Sequence, residues 1–243
     1  MSERSIARLI DTTHASVAGY IPCLTSGEGW KLSATQWLDM VRYTLRYADG
    51  REVIAGIEKP TTREVLKFAY HAEDLGVQTI IVSTPFGETV SQADMLEHFR
   101  RIHDETALSI FIYNESELSS NECSLETLLR IADLPKVTGI KDSCHERRPD
   151  DVISEFQRRG VSYFQGFEDR LMDESAADGN IVSLSNLEPG ICCADTLSND
   201  ARLKKKMIEL CDTYALSSDD WYRHVKVELR RREIINSARL ASG

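Results

Sequence analysis

Short apolar runs alternate with amphipathic stretches along most of this chain. Each run is rich in Ile, Val, Tyr and Phe, and it is followed by a polar loop and then by apolar residues at helical spacing. This alternation predicts parallel β-strands joined by helices. Seven strands are predicted, over residues 20–24, 53–57, 79–83, 109–113, 137–140, 162–165 and 180–184.

Start and stop signals place helices between these strands. Ser33 can cap one helix, Thr61 can open a second that stops at Leu75-Gly76, and Ser124 can open a third. No Pro-, Gly- or Ser-rich linker interrupts the winding. We therefore expect one domain, with a (β/α) barrel over residues 1–186 and C-terminal helices over 187–243 packed on it. Within that tail, residues 200–214 and 219–239 are predicted to be helical.

Composition limits the classes of function. Lys and Arg number 29 against 39 Asp and Glu, and the net charge of −10 argues against a nucleic-acid partner. No apolar run reaches the roughly 20 residues of a membrane span, so we expect a cytoplasmic protein with no membrane partner. The six cysteines include no CxxC pair, which favours reduced thiols over a zinc site or a disulfide framework.

The candidate catalytic and binding residues lie at the C-terminal ends of the predicted strands, where functional groups cluster in parallel α/β folds. Lys141 ends one strand, and a buried amine there can attack a carbonyl to form a Schiff base, or it can pair with a carboxylate. Tyr113 ends a neighbouring strand and can move protons or simply pack by its ring. The turn Thr25-Ser26-Gly27 offers hydroxyl and N–H donors that suit a substrate carboxylate.

Taken in order, these residues resemble the dihydrodipicolinate synthase and N-acetylneuraminate lyase family. The resemblance implies a (β/α)8 TIM barrel, a Schiff-base lysine at Lys141, proton transfer by Tyr113, and carboxylate binding and proton relay by Thr25 and Ser26. It also implies that Gly166 and Ile181 line the pocket, that the substrate is pyruvate or another 2-oxo acid, and that no metal or organic cofactor takes part. The segments that carry it are Thr25–Gly29 with Leu32-Ser33, Val53–Gly56 with Thr61-Thr62, Thr84-Pro85, Tyr113-Asn114 and Gly139–Asp142.

Several positions depart from the family pattern. Leu24 replaces a glycine, and Phe86-Gly87 stands where the synthases have two tyrosines. The segment from Glu115 to Ser119 lacks the arginine with which synthases hold their second substrate, so we do not expect a true dihydrodipicolinate synthase. Glu58-Lys59 replaces a glycine-rich segment, and these charges either pair with each other or contact a polar substrate.

The family's first strand has no counterpart here, because the sequence begins at the helix that follows it. We therefore expect seven of the eight barrel strands, and a homo-oligomer that covers the open strand edges. In an alternative register, residues 20–24 are the first strand and the second is absent. The turn Thr25–Gly29 and the helix leading into Val53 favour the former register.

Two histidine-containing segments are weaker candidates. His98 and His103 are five residues apart, a poor spacing for metal ligands, and a solvated or capping role is expected. The segment His145–Arg148 is expected to be a surface loop, with contact to an anionic substrate as the alternative.

The sequence therefore predicts a class I Schiff-base aldolase or lyase that makes or breaks a carbon–carbon or carbon–oxygen bond of a 2-oxo acid. The alternative hypothesis is a catalytically weak or inactive barrel paralogue that serves as a binding or scaffolding subunit.

Overall fold

A computed structural model describes residues 1–144, 146–171, 176–193 and 201–241. These residues form two compact units. The first contains residues 1–53, 167–171, 182–193 and 201–241, and the second contains residues 54–144, 146–166 and 176–181. Whether residues 1–186 and 187–243 share one domain stays a prediction.

The described residues contain seven strands, and each strand is parallel to the next one along the chain. Every residue of the third strand is buried, as in sheets that are covered on both faces. The predicted winding is confirmed. The strands are β1 (Gly19–Tyr20), β2 (Glu52–Ile57), β3 (Thr79–Ser83), β4 (Ser109–Glu115), β5 (Val137–Ser143), β6 (Ser162–Gln165) and β7 (Gly179–Asn180).

The predicted helix starts are also confirmed. The Ser33 side chain accepts from the N–H of Gln36 in a capping box, Thr61 accepts from Glu64, and Ser124 from Thr127. The helices of the described residues are α1 (Glu3–Thr13), α2 (Ala34–Tyr47), α3 (Thr62–Asp74), α4 (Gln92–Glu105), α5 (Leu125–Ala132), α6 (Asp150–Arg158), α7 (Pro189–Cys192), α8 (Ala201–Thr213) and α9 (Trp221–Arg231).

The first unit begins with a helix, as predicted. The Ser2 hydroxyl caps α1, and the described residues before Gly19 form no strand. β1 then pairs with the start of β2, where a side chain at position 19 would place its Cβ 2.7 Å from the Glu52 carbonyl oxygen. A glycine is therefore required at this close approach.

Two strands, β4 and β5, run past their predicted ends at 113 and 140. Three other predicted elements extend well beyond the observed ones, in each case beside a change of backbone direction. The strand predicted over 20–24 ends at Tyr20, shortly before the left-handed residue Cys23 (φ 64°). The strand predicted over 180–184 ends at Asn180 and gives way to a 3₁₀ turn. The helix predicted to reach residue 239 ends at Arg231, near the left-handed residue Glu233 (φ 61°). Asp200, predicted to begin the preceding helix, lies outside the described residues.

Aromatic packing fills the interior of the second unit. The rings of Phe111 and Phe164 lie 5.7 Å apart, and the Phe111 ring covers Gly139 so closely that a Cβ there would approach it to 2.5 Å. Helices α3 and α4 bury apolar side chains, among them Phe68 and Phe99. No helix in the described part of the chain is both long and apolar enough to cross a membrane.

Candidate active site

A row of side chains crosses the C-terminal ends of four neighbouring strands in the second unit. Ser83 on β3 is paired with Tyr113 on β4, Tyr113 with Lys141 on β5, and Lys141 with Phe164 on β6. Residues directly opposite one another in a sheet project to the same face. The strand register therefore brings the predicted nucleophile and the predicted proton carrier together.

The Lys141 side chain lies over the face of Tyr113. Its Nζ is 4.1 Å from the ring centre, and Lys141 retains only 8% exposure. The electron-rich face of a phenol attracts an ammonium group at this distance. The ring thus fixes the position of the amine.

Gly166 lies beside this lysine, and its predicted place in the lining of a substrate pocket stays a prediction. Its N–H donates to the Asp142 carbonyl at 3.0 Å. A Cβ at this position would lie 2.0 Å from Ser143 Oγ and 3.2 Å from Lys141 Cε. The glycine is therefore needed for the close packing around Lys141. Ile181 is in the same unit, where its N–H donates to the Gln165 carbonyl at 2.9 Å.

The side chain of Asp142 forms a buried polar cluster that the sequence did not reveal. Its carboxylate accepts from Asn114 Nδ2 at 2.8 Å, from Arg148 Nε at 2.8 Å and from the Tyr163 hydroxyl at 3.2 Å. Burial disfavours the charged guanidinium of Arg148, but the charge and hydrogen bond of Asp142 outweigh this, so the pKa of Arg148 is raised. The cluster anchors β5 immediately after Lys141.

The surface-loop prediction for residues 145–148 was wrong for Arg148. Its side chain is 11% exposed and is ion-paired, whereas Glu146 and Arg147 are exposed as expected. A single arginine in a polar loop gives no sign in the sequence that its partner is a buried aspartate. His145 lies outside the described residues.

Two acidic residues at positions that depart from the family pattern, Glu115 and Glu58, are buried, whereas Glu117 is exposed. The Glu115 carboxylate accepts from the N–H groups of Leu118 and Ser119 at 2.9 and 3.2 Å, and burial raises its pKa. Glu58 and Lys59 are buried too, and Lys59 Nζ lies 4.7 Å from the centre of the Phe68 ring. Whether Glu58 and Lys59 pair with each other or contact a polar substrate stays a prediction.

His98 was expected to be solvated or to have a capping role, and the solvated alternative was wrong. It is buried, and its Nδ1 lies 2.9 Å from the hydroxyl of Thr62 at the start of α3. Burial lowers the pKa of this imidazole to about 4. His98 is therefore a neutral core residue at physiological pH.

The turn Thr25-Ser26-Gly27 belongs to the first unit. It forms one 3₁₀ turn in which the Leu24 carbonyl accepts from Gly27 N at 2.7 Å. Leu24 adopts ordinary extended geometry (φ −87°), so the turn forms without the family's glycine at this position. Thr25 and Ser26 are half-buried. Their role in carboxylate binding stays a prediction.

All six cysteines are among the described residues, and none is in a disulfide. Burial, followed by the charge of Asp142, raises the pKa of Cys144 to about 12, so this thiol stays protonated. Within the described ranges, no group of three or more His, Cys, Asp or Glu side chains is arranged to hold a metal ion.

Comparison with known proteins places these features in a family. The model of the dihydrodipicolinate synthetase family matches residues 1–239. A 4-hydroxy-tetrahydrodipicolinate synthase of Anaplasma marginale (strain Florida) is 33% identical over 231 residues, covering 94% of this chain and 72% of the relative.

Solved structures share the fold. A dihydrodipicolinate synthase from Acinetobacter baumannii, complexed with pyruvate, has a TM-score of 0.88 at 23% identity and covers 99% of this chain and 86% of that one. A 2-keto 3-deoxygluconate aldolase from Picrophilus torridus has a TM-score of 0.81 at 16% identity, with 100% and 92% coverage.

The fold is therefore that of a TIM-barrel-like α/β protein with additional C-terminal helices, and the predicted fold class is confirmed. The chain belongs to the dihydrodipicolinate synthetase family. The expectation that it is not a true synthase finds no support in relatives that are named synthases.

Proposed function

We propose that this chain is a Schiff-base lyase or aldolase that acts on pyruvate or another 2-oxo acid through Lys141. The observation that carries the proposal is the buried Lys141 amine, held over Tyr113 at the ends of two paired strands. Family membership and the pyruvate bound to the A. baumannii relative support this choice of substrate class.

The first chemical step is attack of the neutral Lys141 amine on the C2 carbonyl carbon of the 2-oxo acid. The carbonyl oxygen leaves as water, and the product is an iminium ion bonded to Nζ. One proton of the departing water comes from the amine nitrogen, and in this proposal Tyr113 supplies the other. The hydroxyls and N–H groups of Thr25, Ser26 and Gly27 are assigned to the substrate carboxylate.

The iminium ion then withdraws electrons from the adjacent carbon. Loss of a proton or of an electrophilic fragment from that carbon gives an enamine, and the enamine can in turn attack a second carbonyl. Cleavage and condensation are thus two directions of the same chemistry. Both directions are open for this chain, because its relatives include proteins named synthase and aldolase.

The alternative is a catalytically weak paralogue used as a binding or scaffolding subunit. The buried Lys141 beside Tyr113 favours the enzyme, because a buried lysine has an energetic cost that a scaffold does not require.

Borohydride trapping tests the proposal. The protein is incubated with pyruvate and with a panel of longer and hydroxylated 2-oxo acids, reduced, and weighed intact by mass spectrometry. We expect one adduct per chain with at least one acid, none in Lys141→Met, and retention in Lys59→Met, which removes a second buried lysine that lies over an aromatic ring. No adduct with any acid would support the paralogue.

A further inference from the structure

Glu28 follows the predicted carboxylate-binding turn in a conformation that a glutamate disfavours. Its side chain is 0% exposed, and its backbone is left-handed, with φ 56° and ψ 37°. A Cβ crowds the backbone in this region, so a non-glycine residue remains there only when its surroundings hold it. Glu28 therefore needs strong partners.

Those partners come from the C-terminal segment. Lys226 on α9 donates to Glu28 Oε2, and the N–H of Ala241 donates to Oε1 at 3.0 Å. Lys226 Nζ is also 3.4 Å from the Arg239 carbonyl oxygen, so the lysine contacts both the glutamate and the tail. Both oxygens of the Glu28 carboxylate are thus bound by residues about 200 positions further along the chain.

A second contact from α9 reaches the residues that follow Glu28. Trp30, two residues after Glu28, packs edge-to-face on Tyr222 with 5.3 Å between ring centres. Tyr222 and Lys226 are four residues apart and lie on one face of α9. The ammonium group of Lys31 lies 5.4 Å from the centre of the Trp30 ring and 5.8 Å from the centre of the Tyr222 ring. Side chains of helix α9 therefore contact residues 28, 30 and 31.

We propose that Lys226, with the tail at residues 239–241, is a positioning device for the carboxylate-binding turn Thr25–Gly27. This inference rests on the proposed function. Without the ammonium, the buried Glu28 carboxylate lacks its countercharge and is driven towards water, which releases the left-handed backbone that ends the turn. Thr25 and Ser26 then lose the orientation that carboxylate binding requires, whereas the Lys141 amine is unchanged.

The test measures the rate of borohydride trapping as a function of the concentration of pyruvate, or of the most reactive acid of the panel. This separates the acid concentration at half-saturation from the maximal trapping rate. For Lys226→Met we expect half-saturation to rise by about tenfold or more, as a misplaced binding group would cause, with the maximal rate within about threefold of wild type. Lys226→Arg keeps the charge and is expected to stay within about threefold on both parameters. Lys205→Met, which breaks an exposed ion pair on α8, is the control.

If Lys226→Met does not fold, Ala241→Pro removes a single N–H donor to Glu28 and is expected to raise half-saturation in the same direction by a smaller factor. Unchanged half-saturation in a folded Lys226→Met or Ala241→Pro protein would overturn the inference alone. An equally large fall in the maximal trapping rate of Lys226→Met would also overturn the inference. The same holds if half-saturation in Lys226→Arg is raised as much as in Lys226→Met. A wild-type protein that forms no adduct with any acid of the panel overturns the proposed function, and the inference with it.

Discussion

Lys141 holds its amino group over the face of Tyr113, with Nζ 4.1 Å from the ring centre, and the two residues are paired across β4 and β5. One side chain thus offers two separable functions. The ring positions the amine, and in the proposed mechanism the phenolic hydroxyl supplies the proton chemistry. Substitutions at position 113 can remove either function alone.

Tyr113→Phe keeps the ring and removes the hydroxyl. We expect the trapped adduct still to form on Lys141. The rate constant for cleavage or condensation of the 2-oxo acid should fall by about 10²- to 10⁴-fold, the usual contribution of a positioned acid–base group. Tyr163→Phe is the matched control, because it removes a buried strand hydroxyl that serves Asp142. Equal turnover in wild type and Tyr113→Phe would exclude Tyr113 as the proton carrier.

Gly166→Ala places a methyl group against Ser143 Oγ, the Asp142 carbonyl and Lys141 Cε. We expect a loss of about 1–3 kcal/mol in the free energy of unfolding, the usual cost of overpacking, together with slower adduct formation. Gly190→Ala on α7 is the control, since its Cβ would meet no atom within 4 Å. Denaturant unfolding measures both variants, and equal stability of the two would contradict the packing argument.

Asp142→Asn removes the countercharge of Arg148 but keeps the shape of the side chain. We expect a loss of roughly 3–5 kcal/mol in the free energy of unfolding, because a buried guanidinium is left without its partner. The double variant Asp142→Asn with Arg148→Met should recover part of this loss. The exposed pair of Asp39 and Arg42 provides the reference, where Asp39→Asn should cost less than about 1 kcal/mol. A similar cost at the two aspartates would contradict this account.

His98 makes stability depend on pH below neutrality. In the unfolded chain its imidazole takes up a proton near the ordinary pKa of 6.5, whereas in the folded protein it does so only near 4. Between these values the unfolded state binds more protons, so stability falls as pH drops from 6.5 to 4, by roughly 3 kcal/mol in total. Urea unfolding across this range should show a shallower decline in His98→Asn. Parallel curves for the two proteins would contradict the buried neutral state.

Much of the fold could be predicted from the apolar pattern, because buried parallel strands are continuous apolar runs. The strand over 79–83 was predicted with its observed bounds, and the caps at Ser33, Thr61 and Ser124 followed from side-chain chemistry. The strand ends at Tyr20 and Asn180 could not be predicted, because the backbone changes direction there without any change in hydrophobicity.

The candidate site likewise has some features that could be predicted from the sequence and others that could not. The pairing of Lys141 with Tyr113 follows from two strand ends that can be recognised in the sequence. The clusters around Asp142 and Glu28 depend instead on partners in a polar loop and in a distant helix. Arg148 and Lys226 resemble ordinary surface cations in the sequence, and only the tertiary structure shows that each neutralises a buried carboxylate.

The most direct test of the central claim is the location of the trapped adduct. The wild-type protein is reduced in the presence of pyruvate or the most reactive 2-oxo acid, digested, and mapped by tandem mass spectrometry. We expect the modification on Lys141, and we expect the Lys141→Met protein to remain unmodified. A reduced adduct on Lys59 or on any other lysine, with Lys141 unmodified, would contradict the account.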